Sequence, residues 1–172
     1  MKTATSPGRL PALLARLDAW FKTHRRRFAK TLLPGATPDQ LAALERELAH
    51  ALPDELRTWL AWHNGQGSDA PAAFLQSWHL VGTEQMARLK KELDADPQAK
   101  WDRAWIPFLD DDNDNYVCVD TGQPNVPVRE CWRGKQAAVV ADSLTAWVER
   151  FVTDVEKGEY VEDPERGEFY KK

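Results

Sequence analysis

Residues 105–120 read Trp-Ile-Pro-Phe-Leu-Asp-Asp-Asp-Asn-Asp-Asn-Tyr-Val-Cys-Val-Asp. Two apolar runs, Trp105 to Leu109 and Tyr116 to Val119, flank one acidic turn. Aromatic and β-branched residues dominate both flanks, which predicts two buried strands. Asp and Asn suit the turn because their side chains bond nearby backbone amides. A buried strand pair needs other elements to cover it, so the remaining chain is read as that cover.

The chain has 172 residues, enough for one domain with a sizeable core. It holds eight Trp, each able to bury a large apolar area. Most are expected in the core, with room for one or two at a partner surface. Charge is uneven. Residues 1–35 carry eight Lys and Arg against the single Asp18, giving +7, and the rest carry −11, for a net −4. An acidic body argues against a nucleic-acid ligand, because phosphates must meet Lys and Arg. It favours a basic protein partner. Neither a secretory leader nor a long apolar run is present, so a cytoplasmic protein without membrane insertion is expected. The two thiols, Cys118 and Cys131, make no disulfide framework.

Residues 1–8 read as a disordered start. Leu10, Leu13, Leu14, Leu17, Phe21 and Phe28 recur at helical spacing, with His24 on the same face. One basic amphipathic helix from about Pro11 to Lys30 is expected, its Arg25 to Arg27 cluster lying off the stripe. Its stripe either docks on the domain or meets a membrane surface. Thr37-Pro38-Asp39 starts a second helix with Leu41, Leu44 and Leu48 inward. Pro53-Asp54-Glu55 starts a third, with Leu56, Trp59, Leu60 and His63 on one face, ended by Asn64-Gly65. Gln66 to Pro71 reads as a loop, Phe74 to Val81 as an edge strand, and Thr83 as the cap of a helix to about Leu93. Residues 94–103 are polar and irregular. Val128 to Trp132 and Gln136 to Val140 form a hairpin. Ser143 caps a last long helix with Leu144, Trp147, Val148, Phe151 and Val155 inward. The division is a helical extension over 1–32, a core domain over 33–157 and an acidic tail over 158–172.

No catalytic motif is found. Asp110, Asp112 and Asp114 match positions 1, 3 and 5 of a calcium loop, but Asn115 and Thr121 fail at positions 6 and 12. The turn therefore reads as a solvated connection, an acidic contact for a partner, or a metal loop. Cys118 and Cys131 lack zinc spacing, and His24, His50, His63 and His79 are scattered. Each thiol reads as buried and inert, and His63 as a structural cap rather than a base. Trp62, Trp78, Trp101 and Trp132 fit no helical stripe; core is their default, and Trp101 lies in a polar stretch.

Four segments resemble the SUKH superfamily in its Smi/Knr-like, cell-wall-assembly-regulator branch. They are Leu33 to Glu45, an opening helix with an internal Glu; Leu52 to Arg57 followed by Trp62-His-Asn-Gly-Gln66; Trp105 to Phe108 with Asn115 to Asp120; and Ala141 to Val148, a closing helix. Their order spans 33 to about 155. The Leu10 to Phe28 helix is similar to an extension of bacterial members.

The resemblance implies an α+β fold, a single domain with helices around a mixed, largely antiparallel sheet. It implies a non-enzymatic role; independently, no motif calls for a cofactor or metal, and none is expected. Many bacterial members resemble immunity proteins that bind a cognate toxin, often one with a basic, nuclease-like active site. Other members resemble regulatory scaffolds for cell-wall synthesis. Where relatives often have glycines, this chain has Asp110-Asp-Asp-Asn-Asp114, which points to a partner-specific turn. Asp110, Asp111, Asp112, Asp114 and Trp101 are the expected partner-binding residues.

Overall fold

The computed structural model describes residues 8–67, 72–163 and 165–172. Residues 1–7 of the start expected to be disordered over 1–8, and 68–71 of the Gln66 to Pro71 loop, lie outside the described residues. The order is α1 (Arg9–His24), α2 (Arg26–Ala29), α3 (Pro38–Leu48), α4 (Asp54–Trp62), β1 (His79–Leu80), α5 (Thr83–Ala95), β2 (Trp105–Asp110), β3 (Tyr116–Asp120), β4 (Val128–Cys131), β5 (Ala138–Ala141), α6 (Leu144–Glu156), β6 (Tyr160–Glu162) and β7 (Phe169–Lys171). The expected strand pair, β2 and β3, lies inside a five-stranded sheet of order β1-β2-β3-β4-β5. Each neighbouring pair in it is antiparallel. The fold is α+β, as the resemblance implied.

The sheet has two unlike faces. In β3, Val117 and Val119 alternate with Tyr116, Cys118 and Asp120, because successive side chains point to opposite sides. Directly opposed residues share a face, so Trp105 joins Asp120, and Cys131 joins Tyr116. The other face meets the helices through an aromatic core. Trp59 packs edge-on to Phe108 at 5.4 Å and to Phe74 at 5.7 Å, and Trp147 packs edge-on to Phe108 at 5.6 Å. Edge-to-face pairs match ring edge to ring face electrostatically.

Local chemistry explains the helix ends. Thr37 and Gln40 form a reciprocal capping box at α3, with Pro38 at its start. Glu45 in α3 accepts the Leu52 amide at 2.8 Å and pairs with Arg57, fixing where α4 begins. Ser143 caps α6 by accepting the Ala146 amide at 3.1 Å. Thr83 does not cap α5. It is the helix's first residue, and its amide donates instead to Asn64 Oδ1 at 2.7 Å. The side chain of another segment completes this N-terminus, which no local pattern could reveal.

The segment His63-Asn-Gly-Gln66 works as one clamp. His63 faces Leu33 O at 2.6 Å and Asp18 Oδ1 at 3.1 Å. Gly65 has φ +86°, and an added Cβ would stand 2.7 Å from Gly82 N. Gln66 accepts the Leu80 amide at 3.2 Å and donates to Ala72 O at 2.7 Å.

Three expectations change. The first helix breaks at Arg25 (φ −132°, ψ 56°) instead of running to Lys30. Its stripe is buried as expected, but His24 is exposed, stacked on Trp20, and Arg25 is buried. The Arg25 guanidinium donates to Ala73 O at 2.8 Å and Phe74 O at 3.2 Å and pairs with Glu162 at 2.9 Å. That inward turn of the side chain accounts for the break. Helix α1 lies along α6, joined by Arg9–Glu149 and Arg16–Glu156 pairs. The residues read as a tail form the β6–β7 hairpin, with Phe169 buried. Only His79–Leu80 of the expected edge strand pairs with β2. Gln76, at φ 52°, turns the preceding backbone back on itself.

Candidate partner-binding cleft

The acidic turn is braced by its own hydrogen bonds, and its carboxylates do different jobs. Asp110 Oδ1 accepts the Asp112 amide at 2.9 Å, and its Oδ2 accepts Gln85 Nε2 at 3.1 Å. Asp111 Oδ1 accepts the amides of Asn113 at 2.9 Å and Asn115 at 3.2 Å, while Oδ2 accepts Asn115 Nδ2 at 2.8 Å. Both residues are buried. Burial pushes the Asp110 carboxyl above its usual range, and the charges of Asp112 and Asp111 add to this. Asp112 and Asp114 take positive φ near 60° and are exposed. Asp114 Oδ2 accepts Arg133 Nη1 at 2.8 Å. Asn115 Oδ1 accepts the Arg133 amide at 2.7 Å. The β2–β3 turn and the β4–β5 turn are thus tied together.

Beside these turns, on the sheet face away from the aromatic core, lies a cleft of about 540 Å³. Trp101, Trp105, Tyr116, Cys131 and Trp132 line it, with Arg133 at the rim. Trp101 comes from the irregular stretch after α5. Its Nε1 donates to Asp94 Oδ1 at 3.1 Å, and its ring meets Trp105 at 5.5 Å and Tyr116 at 6.0 Å, both edge-on. Trp132 leans on buried Trp78 at 5.1 Å, and its Nε1 donates to Glu130 Oε2 at 3.1 Å. The Arg129 guanidinium stands 5.4 Å from the Trp105 ring and donates to Asp120 Oδ2 at 2.7 Å. Burial, with nearby Asp110 and Asp114, pushes the Tyr116 phenol up to about 12, so it stays a neutral hydroxyl. The rim mixes charges, with Lys100, Arg133 and Lys135 near Asp96 and Asp114.

Of the residues expected at a partner surface, Trp101 and Asp114 line this cleft. Asp112 stands exposed on the adjoining turn, and Asp110 and Asp111 face inward. The sequence places Trp105 and Tyr116 only in strands and leaves Trp132 unassigned with core as its default, so none of the three is expected in a partner site. The alternation Tyr116, Cys118, Asp120 against Val117, Val119 is the signal that marks the second face. Among the described residues, no group of three His, Cys, Asp or Glu is disposed to hold a metal.

The capped α3, the His63-Asn-Gly-Gln66 clamp, the β2–β3 pair and Ser143-capped α6 follow one another in the order the four resembling segments have. The model of the SMI1 / KNR4 family (SUKH-1) matches residues 35–150.

This chain belongs to the SMI1 / KNR4 family (SUKH-1).

No curated protein sequence matches it significantly. The SUKH-1 match runs from the segment before α3 into α6 and contains the cleft, whereas α1, α2 and the β6–β7 hairpin lie outside it. Those flanking elements are nevertheless packed on the SUKH-1 core through Arg25 and Phe169. No helix among the described residues is long and apolar enough to cross a membrane.

Proposed function

We propose that this SUKH-1 chain is a non-enzymatic, cytoplasmic immunity-type protein that neutralises a cognate protein toxin by occluding it, and that the aromatic cleft is its docking face. The observation that carries this reading is the gathering of Trp101, Trp105 and Trp132, each only partly buried, around one cleft. Tryptophans in a desolvated depression are typical anchors of protein interfaces. The −11 charge of residues 36–172 would draw in a basic toxin and speed its encounter. In this reading Trp101 anchors the partner, Asp114 and Asp112 meet its charges, and Asp110 and Asp111 hold the turn in shape. His63 fits a structural role, since both ring nitrogens already face Leu33 and Asp18.

The test is gentle purification of the tagged protein from its own host, followed by co-expression with what is captured. The expected result is one tight partner bearing a toxin domain, with growth restored by this protein. The Trp101→Ala, Trp132→Ala double variant should weaken binding by at least about 30-fold, as hot-spot losses of about 2 kcal/mol do. Protection unchanged by that variant would remove the cleft from the interface. Capture of envelope-synthesis enzymes without a toxin would favour a regulatory scaffold.

A further inference from the structure

The two thiols, read from sequence as separate inert residues, meet in the fold. Cys118 in β3 opposes Arg129, and Cys131 in β4 opposes Tyr116, so the cysteines are diagonal neighbours on one face. Their sulfur atoms stand 3.4 Å apart. A disulfide requires about 2.0 Å, so side-chain rotation and a small strand adjustment close the gap. The pair is also placed asymmetrically. Cys131 is half-buried and lines the aromatic cleft, while Cys118 lies fully buried beneath it.

We propose that Cys118 and Cys131 are a reversible thiol-modification site, reached through the cleft and oxidised by a small disulfide of the glutathione class. The Cys131 thiolate attacks one sulfur of the reagent, forming a mixed disulfide and releasing one reagent thiol. Cys118 then attacks Cys131 Sγ, forming the protein disulfide and releasing the second reagent thiol. Two electrons and two protons pass from the protein to the reagent. Burial pushes the Cys118 thiol up, which makes the second step the slow one. A bond across the diagonal, rather than between opposed residues, is expected to be strained and easily reduced. It would tie β3 to β4 under the cleft and shift Cys131 together with neighbouring Trp132. Any consequence for partner binding rests on the cleft being the docking face; the cross-link itself does not.

The test treats the full chain, folded and at neutral pH, with oxidised glutathione, followed by alkylation and peptide mass spectrometry without reductant. The expected product is a cross-linked pair of peptides containing Cys118 and Cys131, lighter by two hydrogen atoms and restored by dithiothreitol. Tryptophan emission should shift with the same time course. The Cys118→Ala variant should stop at a stable glutathione adduct on Cys131. The wild-type protein needs no variant to decide the matter. Recovery of both thiols in alkylated form, or of a lasting adduct on Cys131 alone, would overturn the proposal.

Discussion

The Arg25 guanidinium stands 4.1 Å from the centre of the Phe169 ring and 4.3 Å from that of Phe28. It also pairs with Glu162, 137 residues away in sequence. One buried cation therefore joins the break after α1, the Ala73–Phe74 carbonyls and the β6–β7 hairpin. Replacing it by Met keeps bulk but leaves two buried carbonyls without this donor. Arg25→Met is expected to cost roughly 3 kcal/mol, from unsatisfied acceptors at about 1–3 kcal/mol each. Urea unfolding would show this as a lower midpoint with the slope little changed.

Phe169 is 2% exposed and stacks on Tyr160 at 5.1 Å. Phe169→Ala should cost about 3–5 kcal/mol if the hairpin is integral to the core. A loss under about 1 kcal/mol would make the hairpin an independent appendage. Hydrogen exchange on the Arg25, Phe74 and Phe169 amides would report whether all three segments loosen together.

Gly35 and Gly134 separate packing from backbone strain. A Cβ on Gly35 would overlap the Ala61 carbonyl, whereas one on Gly134 meets open space at φ +73°. Gly134→Ala should cost about 1 kcal/mol, the ordinary penalty for a left-handed residue. Gly35→Ala should cost more, about 1–3 kcal/mol, because α4 backbone must move. Thermal unfolding of the two variants side by side gives the ordering.

Acid stability should depend on Asp18. Burial pushes its carboxyl up, but the His63 hydrogen bond and charge, with help from Lys22, outweigh burial and leave it below its usual range. A carboxyl lowered by folding adds stability above its unfolded value of about 3.9. That stability is lost as pH falls through the folded value. The stability advantage of wild type over Asp18→Asn should therefore be present at neutral pH and shrink below about pH 4. Melting temperatures of both proteins across that range would check the sign.

The acidic turn can be divided by mutation. Asp111→Asn weakens two backbone bonds made by a charged acceptor and should lower stability by about 1–3 kcal/mol. Asp114→Asn removes only an exposed pair with Arg133, worth about 0–1 kcal/mol. If the turn faces the proposed basic partner, the Asp112→Asn, Asp114→Asn protein should associate more slowly and with a flatter salt dependence. Unchanged association rates would take the turn out of the interface.

The sequence by itself determined the helices with strong caps, the buried stripes of α1 and α6, the β2–β3 pair and the β4–β5 hairpin. Each depends on residues within a few positions, so periodicity, capping and turn chemistry suffice. It also carried the order of segments that marks the SUKH-1 family. Only the tertiary structure decided which side of the sheet carries the cleft, that Trp101 joins Trp105 and Trp132 around it, and that Cys118 meets Cys131. It alone turned Arg25 inward, gave α5 its cap from Asn64 and packed β6 and β7 against the helices. These contacts join residues distant in the chain, and no local pattern encodes a partner that only packing brings near.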